Sequence, residues 1–148
     1  MLLVVDTNVL VAECLRERGR KRLEDFRLEL LVTERVDDEF RYELTRRLAF
    51  LAERARLSAE IRQAIENNAL DLYERKALVF TEDQYAPLEP QARLCIPQDP
   101  DDWPTVALAL ALNADVWTED QDFFGCGLAV WRTDVLYAHL DDLSASTP

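Results

Sequence analysis

Apolar and polar positions fall along this chain in blocks that predict strands and helices in turn. Leu2-Leu3-Val4-Val5 is a short continuous apolar run, the pattern of a strand covered on both faces, and it stops abruptly at Asp6, Thr7 and Asn8. Val9, Leu10, Ala12, Cys14 and Leu15 then predict a helix that Gly19 closes. A second strand is expected over 28–33. The helix after it runs over 34–57, with Val36, Phe40, Leu44, Leu48 and Leu51 three or four residues apart. Ser58 is a good N-cap for a further helix to about residue 76, antiparallel to the one before.

Val79-Phe80 reads as strand-like, and Pro87, Pro90 and Pro97 then leave room for a helical turn or two at 91–95. The pattern sharpens again beyond residue 98. Pro104 sits in the first turn of a helix over 105–113 that is apolar nearly all round, and therefore buried. A strand over 114–117, a turn at 123–127, a short strand over 128–131 and a helix over 135–143, capped by Thr133-Asp134, complete the chain. Strands alternating with helices imply βαβ units. The expected class is α/β, a parallel sheet flanked by helices in three layers. One domain is expected over 1–143, with 144–148 as a frayed tail.

Composition narrows the picture. With 148 residues and 49% hydrophobic content the chain is large enough for a core and too apolar for disorder. No apolar run approaches the ~18 residues of a membrane helix. The first residues lack the basic lead and length of a signal peptide, so a cytoplasmic protein is expected. Cys14, Cys95 and Cys126 are far apart with no CxxC spacing and read as reduced packing residues. With His139 the only histidine, zinc is disfavoured.

The net charge of −12 is unevenly spread. Residues 1–62 hold 13 of the 17 basic and 13 of the 29 acidic residues, so the second half carries the whole imbalance. A polyanion must therefore approach over the first half. Arg16, Arg18, Arg20, Lys21 and Arg22 are the candidate phosphate contacts there. Their bland alternative is a solvated turn.

Acids stand in three places where an apolar element meets a turn. Asp6 follows the first strand, Asp101 and Asp102 open the buried helix, and Asp120 and Asp122 follow the strand over 114–117. Parallel strands put their C-terminal ends, and the helix N-termini after them, on one side of the sheet, where open α/β folds place ligands. The three places can therefore converge, with Glu43 on the long helix as a fourth contributor. Singly, each has an ordinary reading. Asp101 is an N-cap, Asp6 a solvated end, and Glu39 and Glu43, four apart on one helical face, are surface acids. Together the acids repel and raise one another's pKa, which calls for a neutralising cation. Oxygen ligands without His or Cys select Mg²⁺ or Mn²⁺, ions that hold phosphates and activate water for phosphodiester cleavage.

VVDTNVL at 4–10, Glu43-Leu44 on the second major helix, DPDDWPTVALALALNADVWTEDQDF at 99–123 and a closing strand and helix resemble a PIN-domain ribonuclease, the family of VapBC-type toxins. The resemblance implies an endoribonuclease dependent on Mg²⁺ or Mn²⁺. It makes Asp6, Asp102, Asp120 and Asp122 metal ligands and Glu43 the helical acid of the site, with Glu39 as its alternative. Asp102 is matched rather than Asp101 because the Ala107-x-Ala109-Leu110 register follows it. Thr7, Asn8 and Thr118 become supporting polar groups. RNA is the implied substrate, a cognate antitoxin and a homodimer the implied partners.

Two rivals differ in class. A haloacid-dehalogenase-like phosphatase also opens with Asp after an apolar strand, but it needs an acid two residues on, where this chain has Asn8. A catalytically silent PIN-like module binding RNA or protein is the non-enzymatic alternative. It has no use for a self-repelling cluster.

Overall fold

The computed structural model describes residues 1–145. Its strands are β1 (Leu2–Val5), β2 (Glu29–Thr33), β3 (Ala77–Phe80), β4 (Asp115–Trp117) and β5 (Val130–Trp131). All pair in parallel, in the order β3-β2-β1-β4-β5. The helices are α1 (Thr7–Leu15), α2 (Glu17–Leu23), α3 (Glu34–Ala55), α4 (Ala59–Lys76), α5 (Glu89–Cys95), α6 (Trp103–Leu112) and α7 (Thr133–Ala145). The last helix runs two residues into the stretch expected to fray, and 146–148 lie outside the described residues.

Side chains alternate across a strand, and here both sides are covered. Leu3, Val5, Leu30 and Val32 pack into one core with α1, α3, α4 and α7. Val4, Leu31 and Val116 pack into the other with α5 and α6. This is the expected three-layer α/β arrangement, and it explains why the strands read as unbroken apolar runs. Residues 103–109 of α6 are all buried, as its all-round apolar sequence requires. Burying a side chain such as Leu108 stabilises the fold by about 1.5–3 kcal/mol.

The Thr33 hydroxyl accepts from the Val36 amide and caps α3, and Ser58 does the same for the Ile61 amide at the start of α4. The buried stripe of α3 runs Val36, Phe40, Leu44, Leu48, Ala52. Leu51 falls off it and is exposed, because the next four-residue step from Leu48 lands on Ala52. Phe40 stacks on Tyr73 at 4.1 Å between ring centroids, and the pairs Arg41–Glu74 and Thr45–Glu66 confirm that α3 and α4 run antiparallel.

The basic segment differs from expectation. Arg16 is extended and ends α1, and residues 17–23 form α2. Gly19 does not close a helix. It lies buried inside α2, where a Cβ would meet the Glu13 carbonyl oxygen at 2.3 Å and its Cα at 2.6 Å. The glycine is needed for close approach of two backbones, a use that a one-dimensional reading cannot tell from a helix stop.

Candidate active site

Chain order reverses beside β1, which has β2 on one side and β4 on the other. Such a switch point opens a crevice beyond the strand ends. Asp6 leaves β1 there, its amide bonded to the Trp117 carbonyl at 3.1 Å. Asp6 is the N-cap residue of α1 and Asp102 that of α6, yet neither carboxylate caps its helix. Both are left to face the crevice.

A cleft of about 440 Å³ brings together Asp6, Glu39, Glu43, Asp102 and Asp120, with Thr7 and Asn8 in its wall. At its deep end a recess of about 20 Å³ is bordered by Asp6, Glu39, Asp102 and Arg35, room for one water-sized particle. Asp101 points away, its side chain 83% exposed, while its carbonyl accepts from Arg35. Of the final acidic turn, Asp120 lines the cleft. Asp122 lies beyond it in the turn Gln121–Phe123, its amide donating to Asp120 Oδ1 at 2.9 Å.

Hydroxyls organise the carboxylates. The fully buried Thr118 donates to Asp6 Oδ2 at 3.0 Å and accepts from the Asp120 amide at 3.0 Å, so one side chain sets two acids. Thr7 donates to Glu39 Oε2 at 2.9 Å. Asn8 Oδ1 accepts from Arg47. Glu39 also holds Arg35 at 3.0 Å, whereas Glu43 is clamped by Arg46 at 2.7 Å and Arg47 at 3.4 Å. Arg35, Arg46 and Arg47 were not singled out in the sequence. Their one advance signal was spacing, at three or four residues from Glu39 or Glu43.

Burial pushes the Asp6 carboxyl up, and the charge of Asp120 adds to the rise while Thr118 opposes it. Burial likewise raises Asp102 to about 6, helped by Asp99, Asp6 and Asp120 and opposed by Arg35. Glu43 is held low, first by the hydrogen bond from Arg46. Among the described residues no ion pair includes Asp6, Asp102 or Asp120, and no three acids stand close enough to enclose a metal ion. Like charges spread around a cleft instead of touching. The donor chemistry still fits a hard dication, with carboxylate oxygens and two carboxyls raised by burial and by neighbouring acids.

The segment 16–22 divides. Arg16 and Arg18 line a cavity of about 520 Å³ with Arg132 and Tyr137. Arg20 donates to the Cys14 carbonyl, Lys21 pairs with Glu17, and Arg22 makes a two-pronged bond to Asp141 at 2.6 and 2.8 Å. At the back of that cavity the buried Glu13 accepts from Tyr137 at 2.5 Å. Cys14 and Cys126 are buried and Cys95 partly so, and none is bridged.

The sequence profile of the PIN domain matches residues 4–141. Among solved structures, the crystal structure of FitAcB from Neisseria gonorrhoeae superposes with a TM-score of 0.54 at 24% identity, covering 88% of this chain and 96% of the matched one. That likeness speaks for the fold. No curated protein matches the chain. Among the described residues no helix is long and apolar enough to cross a membrane.

Proposed function

From this chain's membership of the PIN-domain family, we propose that it is an endoribonuclease dependent on Mg²⁺ or Mn²⁺ and the toxin of a toxin–antitoxin pair, opposed by a cognate antitoxin that covers its acidic cleft. The observation that carries the reading is the convergence of Asp6, Asp102 and Asp120 on one cleft, with no ion pair to any of them among the described residues. Asp6, Asp102 and Asp120 would hold the dication, with Glu39 alongside. When bound, the ion supplies Lewis-acid polarisation of a phosphate and a lowered pKa for a water.

The chain's own residues divide the remaining work. Thr118 orients the Asp6 carboxylate and holds the Asp120 backbone, the Asp122 amide orients the Asp120 carboxylate, and Thr7 orients Glu39. Arg46 and Arg47, held at the rim by Glu43, lie where they can meet RNA phosphates next to the reacting one. Asp102, raised to about 6 by burial and by neighbouring acids, carries a charge that a bound dication would relieve. Glu39 is favoured over Glu43 as the helical acid because one of its oxygens accepts from Thr7 beside Asp6 and only the other holds an arginine, whereas Glu43 is clamped by two arginines. Asn8, where a phosphatase of the haloacid-dehalogenase type needs an acid, accepts from Arg47 instead.

The test is cleavage of an unstructured RNA by the pure protein in Mn²⁺, in EDTA, and as Asp6→Asn. Scission in Mn²⁺ alone, lost in Asp6→Asn while circular dichroism is unchanged, is the expected result. Full activity in EDTA or in Asp6→Asn overturns the assignment.

A further inference from the structure

The outer face of α3 carries Tyr42, Arg46, Phe50 and Arg54 at intervals of four residues. Residues so spaced stand in one row on a helix. Aromatic and guanidinium groups alternate along it. The rings are not spent on packing, for Tyr42 is 68% exposed and Phe50 58%. At 1.5 Å rise per residue they stand about 12 Å apart along the axis.

The row starts in the acidic cleft, which Tyr42 and Arg46 help to line. It continues into a neighbouring cavity of about 770 Å³, whose walls include Arg46 and Phe50. The rest of that wall is Ala12, Leu15 and Leu51 with Arg16 and Arg47. Among the described residues no carboxylate lines it, in a chain of net charge −12. Arg46 is shared with Glu43 and Arg16 with Glu13, while the Arg54 guanidinium lies 5.5 Å from the Phe50 ring centre.

Exposed rings interleaved with arginines form a stacking platform for unpaired bases beside an electrostatic rail for phosphates. A duplex hides its bases in the stack and has nothing to offer the rings. We infer that the Tyr42-Arg46-Phe50-Arg54 row is a track for single-stranded RNA. Bases stack on Tyr42 and Phe50, phosphates meet Arg46 and Arg54, and the strand is led into the acidic cleft. The inference takes its substrate class from the nuclease reading.

The track is tested by anisotropy of a fluorescein-labelled oligouridylate, titrated with the protein in EDTA so that no metal-dependent cleavage intervenes. Tyr42→Ala and Phe50→Ala each weaken binding by at least ~5-fold, the lower end for a lost base–aromatic stack. Phe50→Leu, apolar but without a π face, loses as much as Phe50→Ala, and Phe50→Trp restores affinity. Arg54→Gln lowers the salt dependence of binding by about one phosphate contact. Phe26→Ala removes a ring that is 88% exposed outside the row and changes nothing.

Absent RNA binding by the wild-type protein, or Phe50→Leu binding as tightly as wild type, overturns the track. So does Phe50→Ser splitting a dimer in light scattering with RNA affinity unchanged, which gives the patch to a second copy. The two readings fail separately. Cleavage in Mn²⁺ with an unaltered kcat/KM in Tyr42→Ala and Phe50→Ala sinks the track alone, whereas ring-dependent RNA binding without cleavage sinks the nuclease alone.

Discussion

Replacing Asp102 by Asn is expected to make the metal-free protein more stable while removing its response to metal. Burial and neighbouring acids raise the Asp102 carboxyl from 3.8 to about 6. A carboxyl raised in the folded state favours the fold fully below its unfolded pKa and loses that advantage as pH climbs through the folded value. The penalty on the charged form is thus absent below about pH 4, grows up to about pH 6 and is complete at pH 8. Two pKa units correspond to about 3 kcal/mol, and partial solvent screening of this half-buried group reduces that to about 1–2 kcal/mol. For a domain of this size the melting temperature rises about 2–4 °C per kcal/mol, so Asp102→Asn in EDTA at pH 8 should melt about 2–8 °C above wild type. At pH 4 the two should melt together. Saturating Mn²⁺ reverses the order, since an ion at 100 times its Kd stabilises wild type by about 2.7 kcal/mol. Scanning calorimetry at the two pH values, with and without Mn²⁺, reads all of this. A variant that melts below wild type in EDTA at pH 8, or a gap of equal size at pH 4, refutes the reasoning.

Glu39→Gln should cut metal-dependent cleavage at least ~10-fold, and Glu43→Gln should mainly raise KM for RNA by loosening Arg46 and Arg47; steady-state kinetics on one RNA separates the two. Gly19→Ala forces a methyl against the Glu13 backbone and should cost at least ~1–3 kcal/mol in urea unfolding. Tyr137→Phe leaves the buried Glu13 carboxylate short of a donor and should cost about 1–3 kcal/mol in the same assay, with cleavage per folded molecule unchanged.

Asp6, Asp102 and Asp120 were legible from sequence because two regularities constrain them. A strand buried on both faces ends where its apolar run ends, and parallel strands end on the same side, so acids at such junctions share a surface without any knowledge of distances. Glu39 and Glu43 were not separable that way. They share a helical face, and the choice depends on how far α3 advances past Thr7, a matter of packing depth. Gly19 failed for a similar reason, since helix stop and close approach use the same residue and only the Glu13 backbone beside it decides. The two-way division of 16–22 was hidden as well. A helix turns Arg18 toward Tyr137 and Lys21 toward Glu17, where a run of basic letters suggests one surface.

The arrangement of charge in the cleft separates its acids by task. Glu39 and Glu43 each hold arginines, so within the fold they cost little; Glu43 keeps Arg46 and Arg47 along the cleft and Glu39 keeps Arg35 beside the recess. Among the described residues Asp6, Asp102 and Asp120 form no such ion pair, and the chain brings them together beyond the ends of the paired strands β1 and β4. A fold selected for stability alone would replace at least one of them by an amide or pair it with one of the arginines a helical turn away. The mutual repulsion is instead preserved beside positive side chains that face outward. A cation taken up at the acids and a polyanion arriving at the arginines would relieve both halves of this arrangement at once. Neither alone would relieve both, so the proposed function assigns metal and nucleic acid to a single site.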